Sequence, residues 1–284
     1  MTSAPWRWHP HPETWLLVAA LLIGYMWAVV TLGPKRAAPG ERVATTGQKA
    51  SFMLGLLVLL IAEEWPLHDL ADGYLFSAHM VQHMLFAYVA PPLLLLGLPS
   101  WLVRSLLGRG TVRLRLVRFM TRPVVALVFF NALIVAMHWP LIVELQTRST
   151  VFHLSFHAVL LGSALIMWAV VFPPIPEAAR LTQPTKMFYV FLQSIVPTIP
   201  ASFLTFATEP FYEVYESAPR VWDIDPGTDQ MVAGLIMKLG GGLILWSVIT
   251  VMFFRWNAEE ESEERRELSW DDFERELEVW NMRK

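Results

Sequence analysis

No cysteine occurs among the 284 residues, and charged side chains are scarce at 17%. The first absence removes disulfides, thiolate metal sites, CxxC redox chemistry and a cysteine nucleophile, so a metal here must be held by histidine, methionine or carboxylate. The second argues against an ordinary soluble domain, in which about 25% of residues are charged and about 45–50% apolar. Here 55% are hydrophobic and the mean hydropathy is +0.43. Disorder and fibrous repeats are excluded with it. No internal repeat argues for a two-halves transporter, and no nucleic-acid partner is expected.

What is present is a series of long apolar runs, at 15–32, 50–65, 76–98, 124–139, 152–172, 188–207 and 230–254. Most reach the roughly 17 to 25 residues that a helix needs to cross the hydrocarbon of a bilayer. The expected fold is therefore an all-α membrane protein of seven transmembrane helices, residues 1–256, followed by an acidic tail over 257–284. The short second run, ending in Glu63-Glu64-Trp65-Pro66, is the weakest. Charge supports it. With seven spans, 18 basic residues fall on one side, among them Lys35, Arg36, Arg104, Arg109, Arg180, Arg283 and Lys284, against Arg7, Arg148 and Arg220 on the other. That positive-inside bias places the amino terminus outside and the carboxyl terminus in the cytoplasm. The first run lacks a basic segment before it, so it reads as a span and not as a cleaved signal peptide. Trp15, Trp65 and Trp139 then sit at outer ends, where indole rings prefer the headgroup level. Pro91-Pro92, Pro197 and Pro200 interrupt spans three and six, which is tolerated where the freed carbonyls face protein, water or a ligand.

This topology puts all eight histidines on the outer side: His9 and His11 before span one, His68 after span two, and His79, His83, His138, His153 and His157 at span ends. The pairs His79/His83 and His153/His157 have i, i+4 spacing, so each projects two imidazoles from one helix face about a turn apart. Two such pairs in antiparallel spans at matching depth can converge on one ion, and ionisable groups at membrane depth carry a functional expectation. A hydrogen-bonded structural cluster is the alternative. Imidazole alone suits zinc, copper, iron or nickel. Met80 and Met84 interleave with the first pair and would favour Cu(I) as accessory ligands, although core packing accounts for them as well. The outer side carries a net charge of −9 against +5 inside, with Lys238 inside span seven completing the net −3. An acidic outer face draws in cations.

Beyond the histidine pairs, the chain resembles the polytopic CtaG-type assembly factors of bacterial cytochrome c oxidases from about Tyr74 to Gly242. The resemblance rests on the run from Phe76 to Met84, the Pro91–Pro99 segment, His138-Trp139-Pro140, the His153/His157 pair, and Asp229-Gln230 with Ala233–Met237. It implies seven spans in the bacterial cytoplasmic (inner) membrane and a requirement for an active haem-copper oxidase, with a role in supplying it with copper. The implied partners are an oxidase subunit, a copper chaperone, or both. Carried over by position, His79, His83, His138, His153 and His157 would be copper ligands, with Asp229 as a nearby carboxylate; His68, outside that stretch, is a further accessory candidate by its place on the outer side. Lys238 departs from the pattern. Near mid-bilayer it costs about 2.5–3.5 kcal/mol unless paired, and it is expected either to pair with an outer-half carboxylate such as Glu63 or Glu64 or to snorkel. The glycines at 240–242 should let a neighbouring helix approach closely.

Two other functions fit the same residues. A membrane-embedded zinc hydrolase of the lipid amidase type would use some of the histidines with Asp229, Ser77 and Ser155, but catalytic zinc keeps one open position that four or five converging histidines would fill. Haem binding is disfavoured, because an i, i+4 pair cannot sit on opposite haem faces. In the tail, Ser269 and Asp272 resemble a capping box, and Trp270, Phe273, Leu277 and Trp280 follow at helical spacing. A short amphipathic helix is expected there.

Overall fold

A computed structural model describes residues 7–40, 42–108, 110–175 and 181–282, which contain helices and, among the described residues, no strand. Arg109, Arg180, Arg283 and Lys284, counted above on the basic side, lie outside the described residues, as do the side chains of Arg148, Ser269 and Asp272. Among the described residues, six helices are long and apolar enough to cross a membrane: Pro12–Arg36, Thr46–Glu63, Phe76–Gly97, Val151–Val171, Gln183–Phe206 and Pro226–Arg266. Between the third and fourth of these, Val112–Met120 and Pro123–Met137 meet at 77°, and counted together they supply a seventh span. The bend falls where Pro123 opens the second helix; proline brings no N–H to continue the first helix but fits the first turn of a new one. Large apolar side chains point outward along the bundle, as lipid-facing helices require. Leu16, Ile23, Val124, Phe203 and Leu243 are 67–72% exposed.

Spans one to three are clamped together. A Cβ on Gly97 would lie 2.6 Å from the Phe52 backbone nitrogen, and one on Gly55 would lie 2.8 Å from Leu94, so the helices at 46–63 and 76–97 touch backbone to backbone. Tyr25 donates to the Gly97 carbonyl at 3.0 Å and Ser51 to the Leu93 carbonyl at 2.7 Å. The broken third span is repaired from outside itself. Pro91 and Pro92 remove two donors, and the Ala87 carbonyl in the preceding turn instead accepts the indole N–H of the buried Trp168 at 2.9 Å. The backbone widens to a π turn at Leu85–Val89, directly after the His79/His83 pair.

Span seven differs from expectation in three ways. First, the close approach is at Gly234, where a Cβ would meet the Ala201 carbonyl of span six at 2.8 Å. Gly242 has nothing within 4 Å, and Gly241 faces Met84 and Tyr88 at ordinary contact distance. Second, Lys238 does not reach Glu63 or Glu64. Its Nζ lies 3.5 Å from Ser202 Oγ and 5.7 Å from the centroid of Phe206, both on span six, because the helix turns that face away from the histidines. Third, Gly241–Asn281 is one helix of 41 residues. At 1.5 Å per residue it is about 60 Å long, twice the hydrocarbon thickness. Ser269 therefore lies within a helix and opens none, and the exposed Trp270, Phe273, Leu277 and Trp280 ride on the continuation of span seven.

Candidate metal centre

Three chain segments build one end of the bundle. Span two ends at Glu63, the short helix Leu67–Gly73 carries His68 back over the opening, and span three starts at Phe76. That start has no side-chain cap of its own. Asp229 of span seven supplies one: its oxygens accept the backbone N–H of Phe76 at 2.6 Å and of Ser77 at 3.0 Å. A carboxylate on a helix N-terminus is favourable for both the hydrogen bonds and the dipole. Both oxygens of Asp229 thus position the helix of His79 and His83.

The rings form a ladder running inward from the rim. The His11 and His68 centroids are 4.5 Å apart, His68 and His153 5.3 Å, His153 and His157 4.2 Å, His157 and His83 5.7 Å, and His79 and His83 4.1 Å. Metal–imidazole bonds are about 2.0–2.1 Å long, so neighbouring rings at these spacings can turn their nitrogens onto a shared ion. The two i, i+4 pairs lie side by side, with His83 5.7 Å from His157 and His79 6.4 Å from both His153 and His157. His138 ends the helix Pro123–Met137, and its carbonyl accepts the hydroxyl of Tyr212, whose ring packs on Phe76 beside His79. At the rim, His9 and His11 are bound to Asp69 at 3.2 and 3.1 Å.

Second contacts orient several rings. Glu63 Oε1 accepts from His157 Nδ1 at 2.5 Å, and the Ile134 carbonyl accepts from His138 Nδ1 at 2.7 Å. In each case the proton sits on Nδ1, and Nε2 keeps its lone pair, the arrangement that prepares a histidine to ligate. Those Nε2 atoms are buried without a partner, as are His79 Nδ1, His83 Nε2 and both nitrogens of His153. Each such atom costs about 1–3 kcal/mol when nothing accepts or donates to it. These nitrogens belong to five rings, each with one lone pair when neutral, and five imidazoles at one end of a bundle form a donor set with the chemistry of a metal site. Burial holds His68 down at about 4, so its ring is neutral at pH 7.

The tightest convergence of ligand atoms is elsewhere in the same region. Among the described residues, one group of three has its ligand atoms all within 4.8 Å of one another: Glu63, His68 and His153. Of the five principal histidines only His153 belongs to it, and Glu63 was expected to serve Lys238. Its position at the end of an apolar span was the available signal, but which helix it faces is not encoded locally. Gln82 was also missed; it is fully buried beside the pair and donates to the Ala62 carbonyl at 2.8 Å and to His68 Nδ1 at 3.1 Å. Met80 and Met84 pack in the hydrophobic core, with the Met84 sulfur turned to Gly241. The Ser155 hydroxyl donates to the Val151 carbonyl of its own helix and is exposed.

A family model described as cytochrome c oxidase caa3 assembly factor (Caa3_CtaG) matches residues 23–259. The chain belongs to this family. The Caa3_CtaG match takes in Glu63, His68 and all five principal histidines, and it extends from within span one into the long last helix. No curated protein and no solved structure matches the chain.

Proposed function

We propose that this member of the caa3 assembly factor family binds copper as cargo in the histidine cluster and supplies it to the cytochrome c oxidase that it helps assemble. The observation that carries the reading is the set of buried, unpartnered imidazole nitrogens on His79, His83, His138, His153 and His157. Copper is chosen over zinc because the assembled enzyme is a haem-copper oxidase, whereas imidazole accepts either metal. With the amino terminus outside and the protein in the bacterial cytoplasmic membrane, the cluster faces the outer side. There it would receive copper from a chaperone and pass it to an oxidase subunit. Neutral imidazoles suit a transfer site, because they release the ion without breaking a thiolate bond.

Copper content of the purified protein, beside oxidase activity in the membranes it came from, tests this. The His79→Ala/His83→Ala variant should lose bound copper and leave the oxidase inactive. Copper retained by the variant, or full oxidase activity without it, would overturn the proposal. One observation favours a second reading: a carboxylate with two imidazoles is also a set that holds catalytic zinc with a position open for water. Zinc-dependent hydrolysis of a lipid amide or ester by the purified protein would establish that alternative.

A further inference from the structure

The ladder of rings is not chemically uniform. Its inner part is all imidazole, from His153 and His157 to His79 and His83, whereas its outer part mixes imidazole with carboxylate. Glu63, His68 and His153 line a cavity of about 110 Å³ together with Glu13, Asp72 and Gln146. That space has room for an ion and the waters that would complete its coordination. Gln146 is 1% exposed, and both its amide atoms lack a partner. It arrives from the helix Pro140–Arg148, so a separate element brings an unused donor and acceptor to the same cavity.

We propose that Glu63, His68 and His153 form a second cation position, at the mouth of the histidine end. It takes a partly hydrated divalent transition-metal ion, with Gln146 bonded to a water on that ion. Three observations support it. The three ligand atoms already lie within 4.8 Å of one another. Asp72 Oδ1 stands 3.5 Å from His153 Nδ1, and, with Glu13 on the cavity wall, adds negative charge where an ion would enter. Finally, His153 has two unpartnered nitrogens and is 4.2 Å from His157, so one ring borders both the mouth and the all-imidazole group. The donor set selects the metal class. Two imidazoles with one carboxylate and open positions suit zinc, copper(II) or iron(II), whereas calcium and magnesium take oxygen ligands.

The mouth position does not depend on the copper reading; only its role as the step before the inner group rests on that. Zinc, which has no redox chemistry, is the probe. The full-length protein in detergent micelles is dialysed against buffered Zn²⁺, and bound metal is counted. Wild type should bind two equivalents, His68→Ala one, and His79→Ala/His83→Ala the other one. In His68→Ala the affinity of the lost equivalent should fall at least about 100-fold. A zinc count and affinity left unchanged from wild type in His68→Ala overturns the proposal. Should His68→Ala fail to fold, His68→Gln keeps the bulk and polarity, and one equivalent lost or kept there decides. If His68→Ala loses one zinc while His79→Ala/His83→Ala keeps its copper and supports full oxidase activity, the mouth position stands and the copper-supply reading falls.

Discussion

Asp229 separates a ligand from a positioning residue, and the two assignments predict opposite results for Asp229→Asn. The carboxylate accepts two backbone N–H groups, from Phe76 at 2.6 Å and Ser77 at 3.0 Å, and the residue is 4% exposed. In the amide, one oxygen remains an acceptor while the NH2 group faces a second N–H. The loss is one charge-assisted hydrogen bond, about 1.5–3 kcal/mol. The carboxylate's attraction to the helix N-terminus adds about 0.3–1 kcal/mol. Together these are about 2–4 kcal/mol, concentrated on the first turn of span three. His79 lies within that turn and His83 one turn deeper, so the helix start should loosen without losing a metal ligand. Thermal unfolding of the purified variant, paired with copper counted at saturation, reads both effects. The midpoint should fall by several degrees while the copper stoichiometry stays at the wild-type value. An unchanged midpoint would show that the cap contributes nothing. An unchanged midpoint with one equivalent of copper missing would make Asp229 a ligand and refute the assignment.

Two further predictions concern packing in the membrane. Gly97→Ala would place a Cβ 2.6 Å from the Phe52 nitrogen and 2.7 Å from its Cα. Backbone cannot yield as a side chain can, so the variant should be destabilised by about 1–3 kcal/mol or more. Gly242→Ala meets nothing within 4 Å and should be neutral or stabilising by up to about 1 kcal/mol; unfolding midpoints of the two variants side by side check the contrast. Lys238→Met removes only a contact to Ser202 and a ring face of Phe206. Membrane insertion and metal content should both be unchanged, and a loss of bound metal would show that Lys238 serves the histidine end after all.

Apolar runs long enough to span a bilayer, and histidine pairs at i, i+4, are local patterns, so the sequence determined the helices and the pairing of His79 with His83 and of His153 with His157. The backbone hydrogen bonds of a helix in lipid must close within the segment itself, which makes length and hydropathy sufficient to find it. Partner choice is different, because it depends on how far each helix is rotated and which neighbour it touches. Glu63 and Lys238 read from the chain as opposite charges in need of each other. Packing instead turned Lys238 toward span six and Glu63 toward His157 and His68. Asp229 and Ser155 read as chemical groups, and close contact made one a helix cap and left the other on its own backbone. The positions of the histidines along the apolar runs were enough to expect imidazoles at one end of a helical bundle without thiols. That a carboxylate from span two joins them at the mouth came from packing, since the rotation of each helix is set by contacts between positions as far apart in the chain as Glu63 and His157, 94 residues from each other, and not by any run within it.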